Sequence, residues 1–203
     1  EVCVIDDGST DSTEVLVKEH FPQVIYIRQQ NLGVSAARNA GVEATSSDCV
    51  AFLDSDDEWL PKKLEVQLSE LEASPDIRLV HSDEIWIRNG KRVNQMHKHK
   101  KSGGYIFPLC LPLCAISPSA AVLHRSLLVD VGGFDESLPA CEDYDLWLRI
   151  CCKERVLYVD TPLLMKYGGH EDQLSKLYWG MDRFRVQSLA KLLSGRSLDA
   201  EQE

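Results

Sequence analysis

The sequence predicts an α/β domain: a central, mostly parallel sheet flanked by helices, with one small antiparallel hairpin. Three observations predict it. Short apolar runs alternate with helical segments through the first half, the pattern of strands joined by right-handed helical crossovers. Two of those runs, Val2–Ile5 and Cys49–Leu53, break off directly into acidic residues, and open α/β sheets bind ligands at such strand ends. Asn89-Gly90 lies between strand-like stretches, a strong signal for a tight hairpin turn.

The elements follow in order. Val2–Ile5 reads as a buried strand running into Asp6-Asp7-Gly8-Ser9. Asp11 or Ser12 caps a helix over Thr13–His20, which Pro22 stops. Val24–Arg28 is a second strand. Gly33–Val42 is a helix whose Ser35, Ala36, Ala37 and Ala40 permit close approach to a sheet. Cys49–Leu53 is a third strand. Pro61 opens a helix to Ala73 with Leu64, Leu68 and Leu71 on one stripe. Arg78–His81 and Glu84–Arg88 are strand-like, and Lys91–Asn94 is the hairpin return. His97–Gly104 is basic, then glycine-rich, and reads as a mobile loop. Ala120–His124 is a strand, and Ser126–Val131 a helix closed by Gly132-Gly133. Glu142–Lys153 is a helix with Leu146, Trp147, Ile150 and Cys151 inward. Val156–Val159 is a strand, and Leu174–Leu193 an amphipathic helix. The division is one domain over 1–193 with a polar tail at 194–203. Within it, three segments follow one another: 1–94, 95–175 and a C-terminal helix over 176–193.

Bulk properties exclude some functions. A hydrophobic share of 44% and a charged share of 27% suit a folded globular chain rather than a disordered one. A net charge of −10 argues against nucleic-acid binding, since such domains are usually basic. Seven cysteines without a Cys-x-x-Cys pair suggest neither a disulfide framework nor a zinc site. They read as small buried hydrophobes of a reducing, cytoplasmic compartment. No apolar run reaches the roughly 18 residues of a membrane span. The basic segment Lys91–Lys101 leaves a lid over donor phosphates or peripheral contact with anionic lipid at the inner face of a membrane open. A solvated loop is the plainer reading.

The chemistry concentrates in four places. Asp54-Ser55-Asp56-Asp57 places three carboxylates in four residues at a strand end. They repel one another unless a cation or solvent relieves the charge. Mg²⁺ and Mn²⁺ suit oxygen ligands and complete their shells with substrate phosphates; helix capping is the rival reading. Asp6 and Asp7 at a strand end can accept hydrogen bonds from a nucleobase or ribose, or can form a turn and cap. Glu142-Asp143 opens a helix, where carboxylates gain from the helix dipole; the functional alternative is a general base. His170 follows Gly168-Gly169, which permits close approach to a ligand, although a lone histidine is more often structural.

Taken in order, these clusters resemble the family 2 glycosyltransferases. The resemblance is carried by Val4-Ile5-Asp6-Asp7-Gly8-Ser9-Thr10-Asp11, by Asn31 to Gly41, by Phe52-Leu53-Asp54-Ser55-Asp56-Asp57, and by Gly132-Gly133-Phe134-Asp135-Glu136. Glu142-Asp143-Tyr144-Asp145-Leu146-Trp147-Leu148-Arg149 and His170-Glu171-Asp172-Gln173-Leu174-Ser175 complete it. It implies a GT-A, Rossmann-like fold and an inverting transfer from a nucleotide-diphosphate sugar, by default a UDP-sugar, to a hydroxyl on a saccharide, lipid-linked or other acceptor.

By the same resemblance Asp7 reads the nucleobase with Asp6 beside it, and Arg38 contacts the donor. Asp54 and Ser55 stand at the ribose and metal edge, and Asp56 ligates Mg²⁺ or Mn²⁺. His170 supplies a second metal or diphosphate contact, Asp143 is the catalytic base, and Glu142 shapes the acceptor side. The family normally begins with one more strand and helix, bearing a Pro-x-Tyr/Phe-Asn-like segment. The expectation is that residues precede Glu1. A non-catalytic nucleotide-sugar-binding or truncated module is the alternative. A sugar-nucleotide pyrophosphorylase would want a glycine-rich basic loop near its start.

Overall fold

The computed structural model describes residues 1–169, 177–195 and 198. The first strand, β1 (Cys3–Asp6), is followed by α1 (Thr13–His20), β2 (Ile25–Arg28) and α2 (Val34–Glu43). Next come β3 (Cys49–Ala51), the short β4 (Glu58–Trp59), α3 (Lys63–Glu72), the long β5 (Leu79–Arg88) and its hairpin partner β6 (Lys91–Val93). A one-turn helix α4 (Phe107–Cys110) precedes β7 (Ala121–His124), α5 (Arg125–Val131), α6 (Glu142–Cys151), β8 (Leu157–Gly168) and α7 (Asp182–Ser194).

The α/β class holds, but the sheet is mixed where strand–helix alternation predicted a mostly parallel one. β1 and β2 form a parallel pair. The other strands form a second sheet in the order β3-β7-β5-β8-β4, with β6 on β5. There β5 and β8 are parallel, while β3/β7, β5/β7, β4/β8 and β5/β6 are antiparallel. The physical reason is an insertion. β3 and β5 run the same way and are joined by α3, as a crossover requires. The later strand β7 then enters between them in the opposite sense.

β8 is far longer than the predicted Val156–Val159. Its pairing with β5 slips at Ser82, Asp83 and Glu84, where Asp83 lies opposite Pro162. Proline cannot donate to a ladder and is tolerated at such irregularities, so the strand continues past it. Arg78–His81 and Glu84–Arg88, read as two pieces, are one strand for the same reason. The C-terminal helix runs over Asp182–Ser194, after Gly180 at φ 68°; its expected start at Leu174 falls among residues 170–176, which lie outside the described ones.

The expected mobile segment at 97–104 is anchored instead. It makes a turn at His97–His99, buries Lys101 and bridges from Gly104 to Val156. A Cβ at Gly103 would come within 3.0 Å of the Tyr158 amide nitrogen and the Val156 carbonyl, so glycine permits that approach.

The core gathers around α6. Tyr144, Leu146, Trp147, Leu148 and Ile150 are buried against Leu79, Leu123, Ile116, Phe134 and Leu138. Phe184 and Leu192 of α7 cover its outer side. No helix among the described residues is long and apolar enough to cross a membrane.

Candidate functional site

Three elements deliver the acidic residues. After β3 the chain turns, the Asp57 amide donating to the Asp54 carbonyl at 3.0 Å. The Asp54 amide donates to Ser119 Oγ at 3.1 Å, which ties this turn to the segment entering β7. α6 begins at Glu142 from Cys141, itself in the left-handed region at φ 61°. α2 lies between them and contributes Arg38.

Arg38 is the junction. Its Nη2 donates to Asp54 Oδ1 at 2.7 Å and its Nη1 to Glu142 Oε1 at 2.7 Å. The guanidinium also lies 5.1 Å from the centre of the Phe134 ring. Its side chain is 10% exposed and that of Glu142 7%, while Asp54 keeps 32%. Burial alone would lower the Arg38 pKa, but the flanking Asp54 and Glu142 carboxylates outweigh it and push it up. Glu142 is raised by burial and by the neighbouring Asp143, against the pull of Arg38.

The four-residue acidic turn splits by environment. Ser55 and Asp56 are exposed. Asp57 turns inward and accepts from the Tyr167 amide at 3.1 Å. Burial pushes its pKa up to about 6, opposed by the Ser119 hydroxyl and Lys166. Among the described residues no three His, Cys, Asp or Glu side chains converge as a ready-made cation site. With Asp54 on Arg38 and Asp57 inward, the exposed Asp56 suits a hard cation that takes its other ligands from a diphosphate. His170, the other expected ligand, lies outside the described residues.

Asp143 is partly buried beside this junction. Its Oδ1 accepts from the Tyr144 amide at 2.7 Å, and its Oδ2 from the Cys114 thiol at 3.1 Å. A buried polar chain lies behind. Lys166 Nζ donates to Ser117 Oγ at 2.8 Å, Ser117 to Glu84 Oε1 at 3.2 Å, and Lys101 pairs with Glu84 at 3.4 Å. Glu84, Asp57 and Asp143 together raise the Lys166 pKa against its burial.

Asp6 and Asp7 sit at the end of β1. The Tyr26 hydroxyl and the Ser9 amide hold Asp6 down at about 2. Asp7 accepts from Gln29 Nε2 at 2.8 Å and from the Leu32 and Gly33 amides at 2.9 Å each. It thereby satisfies donors of the loop that leads into α2. One segment therefore links both acidic clusters: Asp7 holds the loop before α2, and Arg38, on the helix, grips Asp54.

The structure brings together Arg38, Asp54 and Glu142 directly, with Asp143 adjoining and Ser55 and Asp56 in the same turn. Several members escaped the sequence reading. Asn39 and Phe134 exchange two hydrogen bonds at 2.9 Å. A Cβ on Gly133, at φ 68°, would stand 2.9 Å from Asn39 Oδ1, so the glycine is needed there. Adjacency to Arg38 was the available signal for Asn39. Cys114, Ser117 and Lys166 carried none, each being one polar residue in an apolar run. A separate hollow of about 350 Å³ beside the basic segment is lined by Asp83, Trp86, Arg92, Lys100 and Tyr158; neither Asp54 nor Asp143 lines it.

Known proteins resemble this chain in sequence and in fold. The profile of glycosyl transferase family 2 matches residues 1–132. An uncharacterized glycosyltransferase of Rickettsia felis is 32% identical over 179 residues, covering 87% of this chain and 28% of its own length. The pre-mycofactocin glycosyltransferase of Mycobacterium tuberculosis is 35% identical over 185 residues, covering 85% and 38%. The chain thus spans well under half the length of these two curated relatives. Among solved structures, residues 1–349 of S. aureus TarS superimpose with a TM-score of 0.75 at 20% identity in the form titled as a complex with UDP-GlcNAc, covering all of this chain and 60% of that one. The form with UDP gives 0.68 at 19% identity, covering 96% and 62%. The GT-A fold expected from the sequence is thereby borne out. With more than half of its residues matched by the family's profile, the chain belongs to glycosyl transferase family 2.

Proposed function

We propose that this domain transfers a sugar from a nucleotide-diphosphate donor, a UDP-sugar, to an acceptor hydroxyl with inversion, Asp143 acting as general base. The observation that carries the reading is Arg38. By bridging Asp54 and Glu142 it sets the start of α6 against the acidic turn after β3, and so puts Asp143 next to where a donor at that turn would lie. The UDP and UDP-GlcNAc bound in the TarS structures support the choice of donor.

The roles follow from the surroundings. Glu142 is occupied by Arg38 and shapes the acceptor side, whereas Asp143 has no cationic partner at bonding distance among the described residues. Asp143 takes the proton of the acceptor hydroxyl as that oxygen attacks the anomeric carbon. The diphosphate leaves from the opposite face, and one displacement inverts the centre. Asp6 and Asp7 lie on the nucleobase side, Asp54 and Ser55 on the ribose side. Asp56 would hold a Mg²⁺ or Mn²⁺ ion together with donor phosphates, and His170 belongs to the same assignment. Such an ion, when bound, neutralises charge on the leaving diphosphate.

A panel of nucleotide sugars, assayed with Mn²⁺ for binding and turnover, tests the reading. Asp143→Asn is expected to bind UDP as the wild type does and to lose transfer by about a hundredfold or more. Transfer at the wild-type rate would reject Asp143 as the base. Asp56→Ala should weaken metal-dependent UDP binding in calorimetry, and unchanged affinity would remove that ligand.

A further inference from the structure

The segment between α4 and β7, expected only to help build the acceptor side, touches the proposed base. We infer that Cys114 is a positioning residue for Asp143: its thiol donates a hydrogen bond that fixes the orientation of the carboxylate. The inference rests on the reading of Asp143 as base.

The geometry is two-sided. Asp143 Oδ1 is held by the amide of Tyr144 at 2.7 Å, which belongs to α6 itself. That single bond leaves the carboxylate able to rotate about χ2, a soft torsion for aspartate. Oδ2 is held by Cys114 Sγ at 3.1 Å, from a segment 29 residues away. With both oxygens engaged, the carboxylate plane is set. The same S–H has the Ile116 carbonyl as a second acceptor at 3.2 Å, and of the two the charged carboxylate is the stronger. Three residues on from Cys114, Ser117 receives the Lys166 ammonium, so one short segment holds both a donor to Asp143 and the nearby cation.

The chemistry of sulfur gives the choice of residue its sense. A thiol is a weak donor. A hydroxyl would bind the carboxylate more strongly, and an ammonium would form a charge-assisted bond of about twice the strength. Either lowers the carboxylate's appetite for the acceptor proton. The charged groups facing Asp143 are Arg38 and Glu142 on one side and Lys166 on the other, with the Cys141 thiol nearby. Burial, then the charge of Asp143, pushes the Cys114 pKa well above the ordinary thiol range. The proton therefore stays on sulfur and the bond keeps its direction.

The test has a spectroscopic and a kinetic arm. The infrared S–H stretch of Cys114, assigned by difference against Cys114→Ser, is expected to shift when Asp143 becomes Asn, because a charged acceptor is replaced by a neutral one. The same band in both proteins overturns the contact, whatever donor the enzyme uses. In turnover of UDP-GlcNAc with Mn²⁺, Cys114→Ala should lose about tenfold in kcat with the donor KM unchanged. Cys114→Ser should recover only part of the loss, because it restores a donor at that place but one that binds the carboxylate more strongly. Wild-type kcat in Cys114→Ala overturns the positioning role. Should Cys114→Ala not fold, the serine variant and the infrared band carry the test. Transfer surviving in Asp143→Asn would sink the base assignment instead, and a shifted band would then leave the contact standing.

Discussion

Helix α1 buries none of its eight residues, whereas α6 buries eight of its ten. The contrast extends to the strands. β1 pairs with β2 and with no other described strand, while β5 is flanked by β7, β8 and β6. Val2, Val15, Leu16 and Phe21 stand at least half exposed on the β1–α1–β2 unit, and Trp147 and Leu146 are fully enclosed in the body. The proposed nucleobase-side acids thus ride on a lightly packed unit, and the proposed base rides on the most enclosed helix. Arg38 joins the two.

The comparison can be broken at several points. Trp147→Ala should cost about 3–5 kcal/mol in denaturant unfolding, as deletion of an enclosed aromatic does; Leu16→Ala should stay within about 0.5 kcal/mol. Equal losses would erase the distinction. Arg38→Ala leaves Glu142 and Asp54 without their cation. It should cost about 2–4 kcal/mol, discounted from the fully buried case because Asp54 is a third exposed, and should also weaken UDP binding. In Glu142→Gln the same arginine change should cost less, a coupling that a double-mutant cycle measures.

A smaller effect belongs to Lys63. Its ammonium lies 4.6 Å from the centre of the Trp59 ring, donates to Gln67 Oε1, and is buried with no carboxylate paired to it among the described residues. Burial pushes its pKa down to about 7. An unfolded lysine keeps its proton to about pH 10, so between those values the unfolded chain binds more protons. Stability should therefore rise with pH across that window, by up to about 1.4 kcal/mol per unit. Lys63→Met should flatten that rise in unfolding midpoints at pH 7 and 9. Smallest of all, amide exchange should be faster across the β1–β2 ladder than across β5–β7, and UDP should slow the former more.

Much of this was legible in the sequence because it was local. An apolar run that stops at acids marks a strand end, and that located Asp6, Asp7, Asp54 and Asp56. A 3.6-residue stripe gave α6 with Trp147 inward. What escaped was decided by distant pairing. Nothing near Ala121 says that β7 will insert between β3 and β5. Nothing after Val159 says that the strand continues, and Pro162 is absorbed opposite Asp83. Lys101 reads as a loop charge until Glu84, across the fold, draws it inside. That Asp7 also accepts from Gln29, Leu32 and Gly33 could not be read from the sequence, because those donors lie 22 to 26 residues away.

The Arg38–Glu142 bond spans 104 residues, the Arg38–Asp54 bond 16. During synthesis at about 5–20 residues per second, Asp54 emerges within seconds of Arg38. Glu142 follows on the order of ten seconds later. Over that interval the nascent chain holds half of its ion pair, and the guanidinium that will be enclosed is still in water. Completion of the site is thus a late event in the birth of the molecule, timed by the arrival of α6.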